Sequence, residues 1–224
     1  MGLLKDEVQN EVRERFKKLT GQVRLVNFTQ KIECHYCEET RRLTEEVASL
    51  SPKISAKVYN FALDKEKSQQ YKIDKIPAVV VKAEKDYGIR FFGIPGGYEF
   101  NSLISTIYDV SRGTTDLSLE SKDKISKIDK PIHIQVFVTL TCPYCPSAVE
   151  MAHKLALESE YISSDMIESA EFPHLASKYG VMGVPKVVIN EDFGFEGALP
   201  ESSFVDEVMK AYKSMAEAKT NLSI

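Results

Sequence analysis

Four cysteines are the residues of this chain whose type and spacing could do chemistry. They form two Cys-x-x-Cys pairs, Cys34/Cys37 and Cys142/Cys145, which lie 108 residues apart, and the sequence holds no other cysteine. Thiolates attack disulfides and bind metals. Two thiols three positions apart on a helical turn also meet the Cα separation of about 4.4–6.8 Å that a disulfide requires. The pairs therefore predict either thiol–disulfide exchange or metal binding.

A proline accompanies each pair at the same distance. Ile76-Pro77 and Val184-Pro185 place a proline 43 residues after the first cysteine of each pair, just before a valine-rich segment. Proline removes a backbone donor, so it favours the edge of a strand, and a cis bond in a tight turn. Such a bond would free backbone groups near the cysteines to pair with an extended polypeptide. We expect these four residues to contact the substrate.

The rest of the chain repeats in the same register. A shift of 108 residues places Tyr36 on Tyr144, and Phe92-Gly93 matches Glu196-Gly197 once four residues are removed. A polar stretch at 111–116 separates the copies. We predict two domains, residues 1–113 and 114–224, each large enough to bury its own core.

Each copy shows the same order of hydrophobic patterns. A helix, a strand, a helix starting at the cysteines, a strand and a short helix precede the proline, and a strand hairpin and a closing helix follow it. The first helices are predicted over 6–19 and 119–128, and the second strands over 54–61 and 161–167. Strands interrupted by helices indicate an α/β fold, here with three layers and a continuous sheet or packed interface between the copies.

The position of each cysteine predicts its role. The first cysteine is expected at a helix N-terminus, where free amides and the helix dipole favour a thiolate. Cys34 and Cys142 are therefore the predicted attacking thiols, and Cys37 and Cys145 the more buried resolving thiols. Pro143 suits a helix start, because its missing N–H would have no partner there.

In combination, these motifs resemble a known family. The order of elements, the Cys-x-x-Cys helix and the later proline are similar to the thioredoxin fold, and Cys142-Pro143-Tyr144-Cys145 is similar to the glutaredoxin site. Two such units resemble the glutaredoxin-like protein disulfide oxidoreductases of thermophilic archaea and bacteria. The resemblance implies reduction, oxidation or isomerisation of protein disulfides, cis bonds at both prolines, no cofactor beyond the two redox-active disulfides, and electrons from a flavoprotein of the thioredoxin reductase type.

Two departures from the thioredoxin pattern affect the chemistry. No Asp or Glu lies in 23–32 or 131–141, where thioredoxin carries its acid, so the proton acceptor must come from elsewhere, with Lys31 or Glu33 as candidates in the first copy. The first site also holds His35 where the second holds Pro143. A histidine beside a thiolate stabilises the reduced form, which predicts unequal potentials at the two sites. Tyr36 and Tyr144 either pack or shape the surface that faces the substrate.

Other classes of function fit the sequence less well. One zinc bound by all four cysteines would need pairs about 15–20 residues apart, and these are separated by 104 residues. A net charge of −4 without a basic patch disfavours nucleic acid, and no apolar run is long enough to cross a membrane. The charged start of the chain argues against a signal peptide, so we expect a cytoplasmic protein. An electron-relay or redox-chaperone module of a peroxide-reducing system is the alternative.

Overall fold

The computed structural model describes residues 2–221, with side chains to residue 215. The helices are α1 (Asp6–Phe16), α2 (Cys37–Ser49), α3 (Lys65–Gln70), α4 (Glu99–Arg112), α5 (Leu119–Ile125), α6 (Cys145–Glu158), α7 (Pro173–Lys178) and α8 (Glu201–Asn221). The strands are β1 (Val23–Thr29), β2 (Ile54–Asn60), β3 (Ala78–Lys82), β4 (Ile89–Phe92), β5 (Ile132–Val138), β6 (Ile162–Glu168), β7 (Lys186–Ile189) and β8 (Phe193–Glu196). We call β1–β4 with their helices the first half and β5–β8 with theirs the second half.

All of these strands belong to one sheet in the order β2-β1-β3-β4-β6-β5-β7-β8. β3 and β7 run antiparallel to their neighbours, and the halves join where β4 pairs in parallel with β6, with Arg90 opposite Asp165. This confirms the α/β class, the duplicated thioredoxin-like arrangement and the continuous sheet. The division at 113/114 stays a prediction, although Gly113 ends α4 there in a left-handed conformation with φ 67°.

Helices cover both faces of the sheet, because successive strand side chains point in opposite directions. In β3, Val79 and Val81 join the larger core beneath α1, α2, α4, α5, α6 and α8, whereas Ala78 and Val80 join a smaller core on the other face. Residues at the ends of α3 and α7, such as Tyr71 and Phe172, complete that smaller core. The sheet is thus the middle of three layers.

The first helix of each half is shorter than its apolar pattern predicts. α1 ends at Phe16 and α5 at Ile125, and in both cases one further turn follows in which the third residue on donates back to the helix end. Leu19 N–H donates to Phe16 O at 3.2 Å, and Ile128 N–H to Ile125 O at 3.1 Å. Leu19 and Ile128 are buried, so the pattern recorded burial rather than the length of the helix.

The topology places both cysteine pairs at one edge of the sheet. The parallel strands β1 and β5 end at this edge just before the cysteines, and β3 and β7 begin there just after the prolines. β1 and β5 are four strand positions apart, or about 19 Å at about 4.8 Å per strand. Among residues 2–221, no helix is both long and apolar enough to span a bilayer.

Candidate active sites

Each Cys-x-x-Cys pair forms a disulfide at the start of a helix. The Cα atoms are 5.4 Å apart in Cys34–Cys37 and 5.5 Å apart in Cys142–Cys145, within the range that disulfides adopt. The helices begin at the second cysteine of each pair, not at the first cysteine, where the sequence predicted their start. The residue before each helix is Tyr36 or Tyr144, whose backbone has ψ of 3° or −19° and so has not fully entered the helix.

The role predicted for Pro143 is corrected by the same observation. Pro143 precedes the cap residue Tyr144, so it lies outside α6, and Pro146 occupies the first helical turn instead. A proline is tolerated at that position, where its missing N–H has no helical partner. Pro143 and His35 are both exposed at their sites, and the His35 ring meets the Tyr36 ring edge-on at 4.8 Å. The effect of His35 on the redox potential stays a prediction.

The helix N-terminus still faces the first cysteine. The Cys145 N–H, at the start of α6, lies 3.1 Å from Cys142 Sγ. An amide in this position stabilises negative charge on sulfur. Cys37 and Cys145 are fully buried, whereas Cys142 keeps 8% of its surface exposed and Cys34 is more exposed still. Each pair thus has one reachable and one enclosed sulfur.

The prolines lie where the repeat placed them. The bonds Ile76–Pro77 and Val184–Pro185 are both cis, as predicted. In the second site the Val184 carbonyl oxygen lies 3.7 Å from Cys142 Sγ, which brings the proline loop and the reachable sulfur together. Pro77 and Pro185 are each held by a glycine, because Gly93 N–H donates to Pro77 O at 2.9 Å and Gly197 N–H donates to Pro185 O at 2.8 Å.

The two tyrosines of the dipeptides differ in their surroundings. Tyr144 is 70% exposed beside its disulfide, whereas Tyr36 is half-buried against the larger core. Met182 is 93% exposed two residues before Val184, and the sequence analysis did not single it out. The second site therefore carries a more exposed apolar rim, formed by Tyr144 and Met182.

A buried carboxyl group near the second site was missed from the sequence. Glu99, in the first turn of α4, has no exposed surface; its Oε2 accepts from Ser102 Oγ at 2.6 Å and its Oε1 has no protein partner. Burial raises the pKa of Glu99 to about 7. The preceding residue, Tyr98, donates its N–H to Leu140 O at 3.0 Å, two residues before Cys142. The first half thus places a proton acceptor beside the site of the second half.

Helical spacing was the signal that could have found Glu99. It precedes Leu103 by four positions and Ile107 by eight, and both are fully buried, so the pattern places a carboxyl on the apolar face of α4. The search for an acid was confined to the strands before the cysteines. The candidates Lys31 and Glu33 are exposed, which removes the reason for assigning them to a buried thiol.

The fold also separates the cysteine pairs too widely for one shared metal. Sulfur ligands lie about 2.3 Å from zinc, while the pairs are about 19 Å apart along the sheet. Within the described part of the chain, no three His, Cys, Asp or Glu side chains converge on a point that could hold a metal ion.

Solved structures share this arrangement over nearly the whole chain. A protein disulfide oxidoreductase from Aeropyrum pernix K1 is 31% identical and superposes with a TM-score of 0.88 over 94% of both chains. The chain belongs to the protein disulfide oxidoreductase family. The alkylhydroperoxide reductase AhpF of Enterococcus faecalis (V583) is 28% identical with a TM-score of 0.85, covering 92% of this chain and 99% of that one.

Sequence comparison links this oxidoreductase to longer proteins. Residues 132–210 match the model of a thioredoxin domain family. An alkyl hydroperoxide reductase of Staphylococcus aureus (strain NCTC 8325) is 31% identical over 159 residues, which cover 70% of this chain and 29% of that protein. The chain spans less than a third of the length of the curated relatives it matches.

Proposed function

We propose that the protein catalyses thiol–disulfide exchange on protein disulfides at two sites, Cys34/Cys37 and Cys142/Cys145. The observation that carries this proposal is the geometry found twice: a disulfide at a helix start, with one reachable and one buried sulfur. In the second site the reachable sulfur also lies 3.7 Å from the carbonyl before Pro185. A structural disulfide needs neither a reachable sulfur nor a helix amide directed at it.

In the reducing direction, the step begins with both cysteines of a site as thiols. The Cys142 thiolate attacks one sulfur of the substrate disulfide; that S–S bond breaks, a mixed disulfide forms, and the other substrate sulfur leaves as a thiolate. Cys145 then attacks Cys142 Sγ, closes the Cys142–Cys145 disulfide and releases the second substrate sulfur. Two electrons pass to the substrate, and its two sulfurs take up protons. Cys34 and Cys37 act in the same way at the first site.

The resolving step needs an acceptor for the Cys145 proton, and Glu99 supplies it in this proposal. A carboxyl with a pKa near 7 is ionised often enough to accept a proton at neutral pH, and protonated often enough to return one. Its free Oε1 leaves a lone pair available. Glu99 lies on α4, which packs against the helix that Cys145 begins.

The remaining predicted residues form the surface that the substrate meets. Ile76 and Val184 are half-buried and precede the buried prolines Pro77 and Pro185, so their backbone groups border the disulfides. Tyr144 and, less openly, Tyr36 flank the same surface. A disulfide-containing protein is the proposed substrate, a flavoprotein of the thioredoxin reductase type the proposed electron donor, and the cytoplasm the proposed location.

Reduction of insulin disulfides tests this function. Wild-type protein with a dithiol reductant should cause insulin to precipitate, and a Cys34→Ser/Cys142→Ser variant should lose that activity almost completely. A Cys145→Ser variant should accumulate the mixed disulfide with substrate at Cys142, visible by mass spectrometry. Full activity in the double variant would rule out the mechanism and leave a chaperone that needs no cysteines.

A specific observation favours a second candidate. The similarity to the Staphylococcus aureus alkyl hydroperoxide reductase covers 70% of this chain, so it includes much more than one cysteine pair. In this alternative the chain relays electrons from a flavoprotein to a peroxide-reducing enzyme. Peroxide-dependent NADH oxidation, reconstituted with such a flavoprotein and peroxidase, should then require this protein, whereas a general disulfide reductase should leave it unchanged.

A further inference from the structure

The two active sites differ at a pair of equivalent glycines. Gly93 and Gly197 have similar backbones, with φ of 94° and 92°, and each donates its N–H to the carbonyl of its site proline. A Cβ at Gly93 would lie 2.6 Å from Glu168 Cβ and 2.8 Å from Glu171 Oε1, whereas a Cβ at Gly197 would meet nothing within 4 Å. The first site is therefore walled on one side, and the second is open there.

The cause of this difference is the order of strands. Gly93 ends β4, which is paired with β6, so the segment after β6 lies across it. Gly197 ends β8, a free edge of the sheet. The residue equivalent to Glu171 in the first half is Leu63, which is 83% exposed and follows β2 at the opposite free edge. Joining two copies side by side thus adds a wall to one site only.

Glu171 gives this wall a charge. Its Oε1 accepts from Ile94 N–H at 2.6 Å, next to the glycine that holds Pro77. Burial raises the pKa of Glu171 to about 7, and repulsion from Glu168 and from Glu39, two residues after Cys37, adds to the rise. The influence of Glu39 shows that the carboxyl faces the start of α2 and its disulfide.

The segments around the cysteines carry the same difference in charge. Residues 30–39 contain Glu33, Glu38 and Glu39, all exposed, against one lysine, Lys31. Residues 139–147 contain no charged side chain. Lys75, which precedes Ile76, is ion-paired with Asp74 at 2.6 Å and lies 3.8 Å from the centre of the Phe92 ring. The surroundings of the first site are thus predominantly acidic, and those of the second are neutral.

We propose that Glu171, contributed by the second half, is a specificity determinant of the first active site, which selects disulfides flanked by basic side chains. The second site, with Tyr144 and Met182 at its rim, accepts disulfides without regard to charge. The inference rests on the proposed disulfide exchange and assigns a substrate class to each site. The chemistry is the same at both sites, and only the docking of the flanking residues differs.

Single-site variants isolate the two rates. Cys142→Ser/Cys145→Ser keeps only the first site, and Cys34→Ser/Cys37→Ser keeps only the second. Each is pre-reduced and mixed at pH 8 and low salt with two peptides of equal length, whose single disulfide is flanked by lysines or by glutamates. Above its pKa of about 7, Glu171 is ionised under these conditions. Neutral 2-hydroxyethyl disulfide measures the exchange activity itself.

The first site should reduce the lysine peptide at least about fivefold faster than the glutamate peptide, because one close unscreened charge contributes a factor of this size. Glu171→Gln, which keeps an acceptor for Ile94 N–H, should bring the ratio close to one. Salt near 1 M should do the same. Glu160→Gln, an exposed change at the other end of β6, should leave the ratio unchanged. The second site should show a ratio near one throughout.

The outcomes separate this inference from the proposed function. A first site that reduces 2-hydroxyethyl disulfide but treats both peptides alike would overturn the inference and leave the function intact. The inference also fails if Glu171→Gln keeps the full ratio, or if the second site shows the same preference. A first site inactive toward all three disulfides would end both the inference and the assignment of catalysis to that site.

Discussion

Glu99 combines a position inside the protein with a group that titrates near neutral pH. If it accepts the Cys145 proton, Glu99→Gln should slow reduction at the second site by about 10²-fold, the lower range for a general base. The rate of the wild-type second site should rise as the pH passes through about 7, and the variant should lose this rise. Rates against pH in a variant that keeps only the second site measure both. An unchanged profile would exclude Glu99 from proton transfer.

The same carboxyl has a consequence for stability. Between its ordinary pKa of 4.5 and its folded value of about 7, the folded protein holds a proton that the unfolded chain has released. Stability therefore falls as the pH rises through this window. Glu99→Gln should reduce that fall and raise the free energy of unfolding at pH 8, by up to about 3 kcal/mol. Urea unfolding at pH 5 and pH 8 checks this, with exposed Glu14→Gln as the control.

At the scale of elements, the turn before α4 supports the loop of the second site. Gly97 has φ of 55°, and a Cβ there would collide with the Leu140 carbonyl, which already accepts from Tyr98 N–H. Gly97→Ala should push residues 139–142 away and lower the second-site rate at least about tenfold, since small misplacements of reacting groups cost that much or more. The first-site rate, measured with the second pair changed to serine, should remain.

Gly180 supplies a matched control for this experiment. It has φ of 57°, close to that of Gly97, but a Cβ there meets nothing within 4 Å. Gly180→Ala should therefore bring only the cost of the left-handed backbone, about 1–2 kcal/mol. If both variants lowered the second-site rate equally, backbone strain rather than displacement of the Leu140 loop would be responsible.

The elements were largely predictable from the sequence, because burial leaves a periodic record. The apolar patterns and the repeat indicated the order of strands and helices, and the prolines were assigned to cis bonds correctly. The start of α2 was misplaced by three residues, since loop residues 34–36 carry no apolar pattern. Glu99 and Glu171 were missed for a different reason: each acts across the join between halves, and no local pattern records which strands become neighbours.

At the scale of the whole molecule, the join between β4 and β6 makes the two halves unequal. Each half repeats the same elements, yet α4 of the first half brings Glu99 toward the second site, and the end of β6 brings Glu171 toward the first. Each site thus contains a carboxyl from the other half. A duplicated unit with identical cysteines can in this way provide two sites with different surroundings.

This exchange of residues predicts that the halves unfold together. Phe91 on β4 is fully buried and meets the ring of His153, on α6 of the second half, edge-on at 4.8 Å. Phe91→Ala should cost about 3–5 kcal/mol, as for other large core side chains. We expect one calorimetric transition at a lower temperature, because removing a contact that both halves share weakens both of them.

Hydrogen exchange followed by mass spectrometry locates the effect within the sheet. In Phe91→Ala, protection should fall by similar factors in β1 and in β5, which lie on opposite sides of the join. Phe204→Ala, in α8 against Phe195 at the far edge, is the matched control, with an equally buried aromatic ring that contacts the second half alone. Cooperative halves should respond to both changes throughout the sheet. Two separate transitions, or loss of protection in one half only, would show that the halves unfold independently, and the sheet would then join two stable domains.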